Sequence, residues 1–264
     1  MTPENVKYNY DSAVHYNRKA SPKLIMPDSD VLSPYPNSPC DTIPDPIISP
    51  RPIKDVTYEV QTDEKGEPIV MLDITGLLNN ITSMLDDFTP AENVAGMSTL
   101  KRMEHALDEY RQIHHSNDIK FVQSISMQEI IRTGNDQIKS ITKFLMHSDP
   151  FRSLKNEDQM QMLKSIWVQW KRLERYASTA KIFGRRMVDD QIITLTPGVA
   201  ANVNKLKVDY ADFVYKKAEG MKCFMGNFNT RMMDEVGRPL VELELSSVET
   251  AFMLAQLSWH VAGK

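Results

Sequence analysis

The stretch "DPFRSLKNEDQMQMLKSIWVQWKRLER", Asp149 to Arg175, decides how this chain folds. After a Pro-Phe corner, Leu163, Ile166, Trp167, Trp170, Leu173 and Ala177 recur three and four apart, the spacing that places side chains on one face of an α-helix. Asn156 is a good helix cap, with Glu157 and Asp158 in the first turn, where the positive end of the helix dipole favours acids. The apolar stripe reads as core. Lys164, Gln169, Lys171, Arg172, Glu174 and Arg175 read as the solvated face. A helix that only covered a core could use Leu and Ala throughout, so two tryptophans behind a fixed Asp158-Gln159 pair imply a more particular packing problem.

The flanks are helical too. Residues 126–146 carry Met127, Ile130, Ile131, Gly134, Ile138, Ile141, Phe144 and Leu145 along one side, with Asp149-Pro150 as the stop. Gly134 costs roughly 1 kcal/mol relative to Ala in mid-helix; either a close neighbour or a ligand needs the space, or the defect is tolerated. Residues 91–115 form an amphipathic helix with Leu100, Met103, Leu107, Tyr110 and Ile113 opposite Lys101, Arg102, Glu104, Asp108 and Arg111. A further helix is expected from about Met71, through Leu72, Leu77, Leu78, Ile81, Met84, Leu85 and Phe88, to a stop at Pro90.

Downstream, "QIITLTPGV" alternates β-branched residues before a Pro197-Gly198 turn, which fits a short hairpin. Helices resume from about Val203 to Phe228. The final segment, "LSSVETAFMLAQLSWHVAGK", opens on a Ser246/Glu249 capping box and carries Gly263 at its C-cap. It is apolar on nearly all sides and is expected to be buried all round. Nothing follows it in the sequence, so the architecture reads as cut short.

The chain has 264 residues, is 41% hydrophobic and 25% charged, and carries a formal net charge of −4, which fits one or two globular domains. No block is basic enough to track a phosphate backbone, so direct nucleic-acid binding is not expected. Of fifteen prolines, ten fall between Pro3 and Pro52, and residues 1–60 read as a disordered Pro/Ser-rich linker, with Ser21, Ser33, Ser38 and Ser49 each preceding proline. Cys40 and Cys223 are too far apart for a disulfide framework and lack zinc-site partners, which fits a reducing compartment. An apolar run long enough for a membrane span and a signal peptide are both missing from the sequence.

No enzymatic chemistry is legible. His105, His114 and His115 lie near Glu104, Asp108 and Asp118, but His105 and His114 are out of register on a helix, so a surface reading outweighs a metal site. Phosphate-binding Gly loops, nucleophile elbows and Cys-His pairs are absent. No cofactor is expected, and the protein reads as no enzyme.

Phe144, Phe151, Leu154, Asp158-Gln159, Leu163-Lys164 and Trp167 together reproduce a pattern that resembles the third to fifth helices of nuclear hormone receptor ligand-binding domains, nearest the divergent nematode set. Two further segments agree in order. "QIITLTPGV" falls where that family has its small hairpin, and Glu249, Met253 and Ala255 are similar to its eighth helix. "SAVHYNR", Ser12 to Arg18, is similar to the basic extension that follows the family's second zinc module. The eight zinc-binding cysteines of the family's DNA-binding domain are not in this sequence, and the match ends after the eighth helix.

The resemblance implies an all-α, layered antiparallel helical sandwich over residues 68–264, incomplete at its C-terminus, with one short β-hairpin near 191–200. It implies a nuclear protein acting in transcription regulation through a small lipophilic ligand and a coregulator helix or another nuclear receptor, with no membrane contact. The ligand side would fall to Gly134, Ile138, Ile141, Trp170, Leu173, Ala177 and Ile193. The coregulator groove would fall to Lys143, Met146, Gln159, Met160, Leu163 and Lys164. The groove's characteristic lysine aligns with Met146, and Lys143, one turn earlier, is the substitute on offer. The arginine that many receptors aim at a ligand carboxylate is replaced near Ser178. A ligand-free helical module that modulates full-length receptors is the alternative.

Overall fold

The structure is a computed structural model and describes residues 57–62, 68–94, 96–113, 119–196, 198–209 and 228–263. In chain order the elements are β1 (Thr57–Thr62), β2 (Pro68–Asp73), α1 (Thr75–Asp86), a 3-10 turn (Glu92–Val94), α2 (Thr99–Ile113), β3 (Lys120–Phe121) and β4 (Ser124–Ser126). There follow α3 (Met127–Met146), α4 (Asp149–Arg152), α5 (Asn156–Phe183), α6 (Arg186–Asp189), β5 (Ile192–Thr196), β6 (Val199–Asn202) and β7 (Lys207–Asp209). A π-helical turn (Met233–Gly237) leads into α7 (Arg238–Leu243), and α8 (Ser247–Ala262) closes the described chain.

The 28 residues of α5 extend about 42 Å at 1.5 Å per residue, and α1, α3, α7, α8 and β5 all pack along it. Its stripe feeds two cores in succession. Leu163, Ile166 and Trp170 join Leu107 of α2, Ile141, Phe144 and Leu145 of α3, and Leu254 of α8. Tyr176, Ala177 and Ala180 belong instead to a second core with Met187, Ile193, Leu195, Ala201 and Met233. Leu173 touches both. Gly184 ends α5 at φ 52, in the left-handed region that favours glycine, while its N–H still reaches the Ala180 carbonyl at 2.8 Å.

Caps account for two helix starts. The Ser126 hydroxyl accepts from the Glu129 N–H at 3.2 Å to open α3, and the reciprocal Ser246–Glu249 capping box opens α8. The hairpin expected near 191–200 is β5–β6, antiparallel with Ile192 opposite Asn202, and Gly198 at φ 69 supplies its turn. β3 adds to β6 in parallel, giving the order β3-β6-β5; β4 pairs with β7, and β1 with β2.

Several expectations are corrected. Helix does not start at Met71: Met71 and Leu72 are exposed on β2, and α1 begins at Thr75, whose N–H donates to the Asp73 carboxylate at 2.9 Å. β1 overlaps the last four residues of the expected linker, whose other residues lie outside the described ones. Asn156 is the first residue of α5 rather than its cap, and its side-chain amide donates to Asp86 of α1. Within the helix expected over 203–228, Lys207–Asp209 is a strand; residues 210–227 lie outside the described ones. Asp149-Pro150 does not merely stop α3 but opens α4, proline being tolerated in the first turn where its missing N–H is not needed. Finally, α8 is not buried all round. Thr250, Ala251, Leu254 and Ser258 face inward, whereas Phe252 is 51% and Trp259 38% exposed.

Candidate functional site

The corner between α3 and α5 is locked by polar contacts. The buried Gln159 side chain donates from Nε2 to the Phe151 carbonyl at 2.9 Å, tying the start of α5 to the end of α4. Asp149 accepts from Thr99 Oγ1 at 2.9 Å and from the Arg102 and Arg152 guanidiniums, and these donors hold its carboxyl at about 2, below the usual range. Around this corner Met146, Gln159 and Leu163 are buried, Met160 is half-buried, and Lys143 and Lys164 are exposed. Lys143 Nζ sits 2.7 Å from Glu109 Oε2 of α2, and that amine is the main cause holding the Glu109 carboxyl below its usual value. The charge of Lys143 is thus engaged within the chain, whereas Lys164 stands in solvent.

Further along α5 the chemistry changes. Arg111 Nε donates to Glu174 Oε1 at 3.2 Å with both side chains only 5% exposed, and the Ser178 hydroxyl donates to the same oxygen. Glu174 was expected on a solvated face; the structure buries it. Trp170 brings it there, because Glu174 lies one turn later on the same side of the helix. Beside the pair opens a cavity of about 320 Å³, bounded by α2, α3, α5 and the β5–β6 hairpin. Tyr110, Arg111, Gln137, Glu174, Arg175 and Ser178 form its polar wall; Ile119, Ile182, Leu195 and Val199 form the apolar one. Burial first, and then the neighbouring Glu174 charge, push the Tyr110 hydroxyl above its ordinary value.

Residues 115–264 match the family described as the ligand-binding domain of nuclear hormone receptor. The chain belongs to that family. Two similar proteins are the nuclear hormone receptor family members nhr-54 and nhr-213 of Caenorhabditis elegans. The first is 29% identical over 79% of this chain and 50% of its own length, the second 28% identical over all of this chain and 59% of its own. A third, nhr-90 from the same organism, is 30% identical over 46% of this chain and 31% of its own length. The chain therefore spans about half the length of the first curated relatives it matches. No solved structure matches it significantly. The helical architecture is that of the nuclear receptor ligand-binding domain, and no described helix is long and apolar enough to cross a membrane.

In this receptor domain the seven expected ligand residues do not share one space. Ile138, Ile141 and Trp170 pack in the first core, Ala177 and Ile193 in the second, and Leu173 between them. Nothing lies within 4 Å of a Cβ built on Gly134, so among the described residues no close neighbour demands its small size. The cavity is lined instead by their sequence neighbours Gln137, Glu174, Ser178 and Thr194. Of the six groove residues, the structure groups Met146, Gln159, Met160 and Leu163 at the α3–α5 corner. Sequence reasoning missed Tyr110, Arg111, Gln137, Glu174 and Arg175 as a constellation. The one available signal was a carboxylate four residues after a tryptophan on a core stripe. His105 Nδ1 lies 3.7 Å from Glu109 Oε1; His114, His115, Cys40 and Cys223 lie outside the described residues.

Proposed function

We propose that this receptor-like chain regulates transcription as a ligand-binding domain: a small lipophilic ligand favours one packing of the domain, and that packing captures a short amphipathic coregulator helix or a second receptor. The reading is of a non-enzymatic nuclear protein. Its main support is the corner at which Gln159 fixes α4 against α5, leaving half-buried Met160 and exposed Lys164 at the surface over a fully packed floor of Met146 and Leu163. Such an arrangement suits a partner helix: apolar side chains rest on Met160 while a lysine meets the carbonyls at the partner's C-terminal end.

A labelled peptide helix with leucines at i, i+3 and i+4, titrated against the full chain by fluorescence anisotropy, tests this. Lys164→Glu should weaken capture by about tenfold, the loss of one well-placed charge contact, and Lys143→Ala, whose amine is already paired with Glu109, much less. Equal affinity of Lys164→Glu and the parent chain sinks the groove assignment. A second reading, a ligand-free module that modulates full-length receptors, is favoured by the exposed Phe252 and Trp259 of α8. Co-sedimentation with a full-length receptor that survives Lys164→Glu but not Phe252→Ser would select it.

A further inference from the structure

We infer that the outward face of α8 pairs with the same face of a second copy of this chain, the two α8 helices lying antiparallel about a two-fold axis at Gln256, with Phe252 of each copy on Trp259 of the other. The inference does not depend on the ligand-binding reading above. It needs only that α8 is folded and that its outer face is open.

Three observations carry it. First, Glu249, Phe252, Gln256, Trp259 and Gly263 recur three and four apart and are all exposed, on the side of α8 opposite the inward Thr250, Ala251, Leu254 and Ser258. That recurrence is the seam spacing with which one helix packs along another over several turns. Two large aromatic side chains standing in water on a rigid helix have the most to gain from being covered. Second, the seam reads alike in both directions. Phe252 lies four residues before Gln256 and Trp259 three after it, with Glu249 seven before and Gly263 seven after. Reversing the helix about Gln256 therefore sets each aromatic ring on the other kind, to within one residue's rise of about 1.5 Å. A surface that complements itself in this way forms a closed two-fold pair, each copy giving and receiving the same contacts.

Third, the polar groups on this face fit the same arrangement. At the axis, the Gln256 amide both donates and accepts, so two copies satisfy each other by reciprocal hydrogen bonds, which a lysine or a carboxylate there could not do. A lone polar residue in a seam also fixes its register. Glu249 in the first turn comes within one turn of the second copy's His260 in the last, and it meets its own Ser246 through Oε2, leaving Oε1 for the imidazole. The contact is made twice by symmetry. A parallel pair would instead set Glu249 beside Glu249 and align the two helix dipoles, so charge selects the antiparallel order. The 16 residues of α8 are only about 24 Å long, and one such seam covers less than the roughly 800 Å² a side of a standard interface. The pair is accordingly weak, with a dissociation constant on the order of 10 μM.

Sedimentation velocity on the full chain, from about 1 to about 200 μM, tests this. The parent should pass from monomer to dimer across that range. Phe252→Ser, which removes two aromatic contacts, and Gln256→Glu, which sets two carboxylates on the axis, should each weaken the dimer at least about tenfold. Both change exposed side chains, so the urea midpoint of the monomer, measured at the lowest concentration, should stay at the parent's. His260→Lys should tighten the dimer and His260→Glu loosen it, each by about threefold, the size expected of exposed charge pairs. Lys164→Glu, on α5, adds more negative charge than His260→Glu and should leave the dimer unchanged, which separates this contact from a general effect of net charge. A chain that stays monomeric throughout overturns the proposal and leaves the face to a different protein. So does a dimer indifferent to Phe252→Ser and Gln256→Glu, or one that both His260 variants move in the same direction.

Discussion

The two halves of α5 solve different problems with one helix. From Leu163 to Trp170 the inward face is apolar: Trp170 meets Phe144 edge-on at 5.3 Å and Tyr110 at 6.3 Å, and Ile166 is fully buried among its neighbours. From Glu174 to Lys181 the helix buries an ion pair, a Thr179–Thr194 hydroxyl contact at 2.8 Å, and the wall of a cavity. Close packing holds the first half in one arrangement, since a dense apolar interior leaves no alternative of similar energy. The second half keeps polar groups and space together, and on the ligand-binding reading proposed above it is the half that would respond to what enters. Close packing and open polar space are divided along a single element, with Leu173 at the junction.

The sharpest way to break this comparison is to empty the first half. Trp170→Ala should destabilise the domain by about 4 kcal/mol, as deletion of a fully buried aromatic side chain does, measured by urea unfolding followed by circular dichroism. Trp170→Phe should cost far less, because the indole N–H finds no acceptor among the described residues and its loss orphans nothing. Equal losses for the two variants would mean that shape, rather than apolar volume, holds the first core. Next in size, Glu174→Ala leaves the Arg111 guanidinium buried without its carboxylate and should cost about 3 kcal/mol. The pair Arg111→Met with Glu174→Leu should recover most of that loss, since replacing a buried ion pair by apolar side chains is often neutral. A double variant as unstable as Glu174→Ala alone would show that the second half depends on its charges for packing and not only for response.

The first half was legible because burial there follows periodicity. Leu163, Ile166 and Trp170 sit where a three-and-four repeat puts them, and Phe151, Gln159 and Trp167 carry the family resemblance in the same stretch. Trp167 itself is only half-buried, with the Lys171 ammonium 4.4 Å from its ring centre, since a position at the stripe's edge can be covered by a lysine stem. The hairpin was legible from Pro197-Gly198 and its β-branched flanks. The cavity was not. Expectation fixed on the apolar faces of α3, α5 and β5, which pack into the two cores, while the open space lies on the faces one residue away: Gln137 beside Ile138, Glu174 beside Leu173, Ser178 beside Ala177, Thr194 beside Ile193. Adjacent residues diverge by 100° on a helix and point oppositely on a strand, so choosing the right elements still allows choosing the wrong side. The exposed side of α8 escaped for a related reason: composition says that a helix is apolar, but not what lies against it.

The smallest expected effect lies at the boundary between the halves. Lys171, one turn before Arg175, has its amine pushed down to about 8, chiefly by desolvation and then by repulsion from Arg175 and Arg172. The folded state therefore holds fewer protons than the unfolded chain between about pH 8 and the ordinary lysine value of 10.5, and stability rises with pH through that window. Burial raises the hydroxyls of Tyr110 and Tyr176, so above about pH 10, where unfolded tyrosines ionise, these two oppose the rise. The clean interval runs from about 8 to about 10. Across it the urea midpoint of the parent chain should move upward, and Lys171→Met, which keeps the stem over Trp167 and removes the charge, should flatten the slope. A slope unchanged by that substitution would mean that the cations along this side of α5 are shielded from one another.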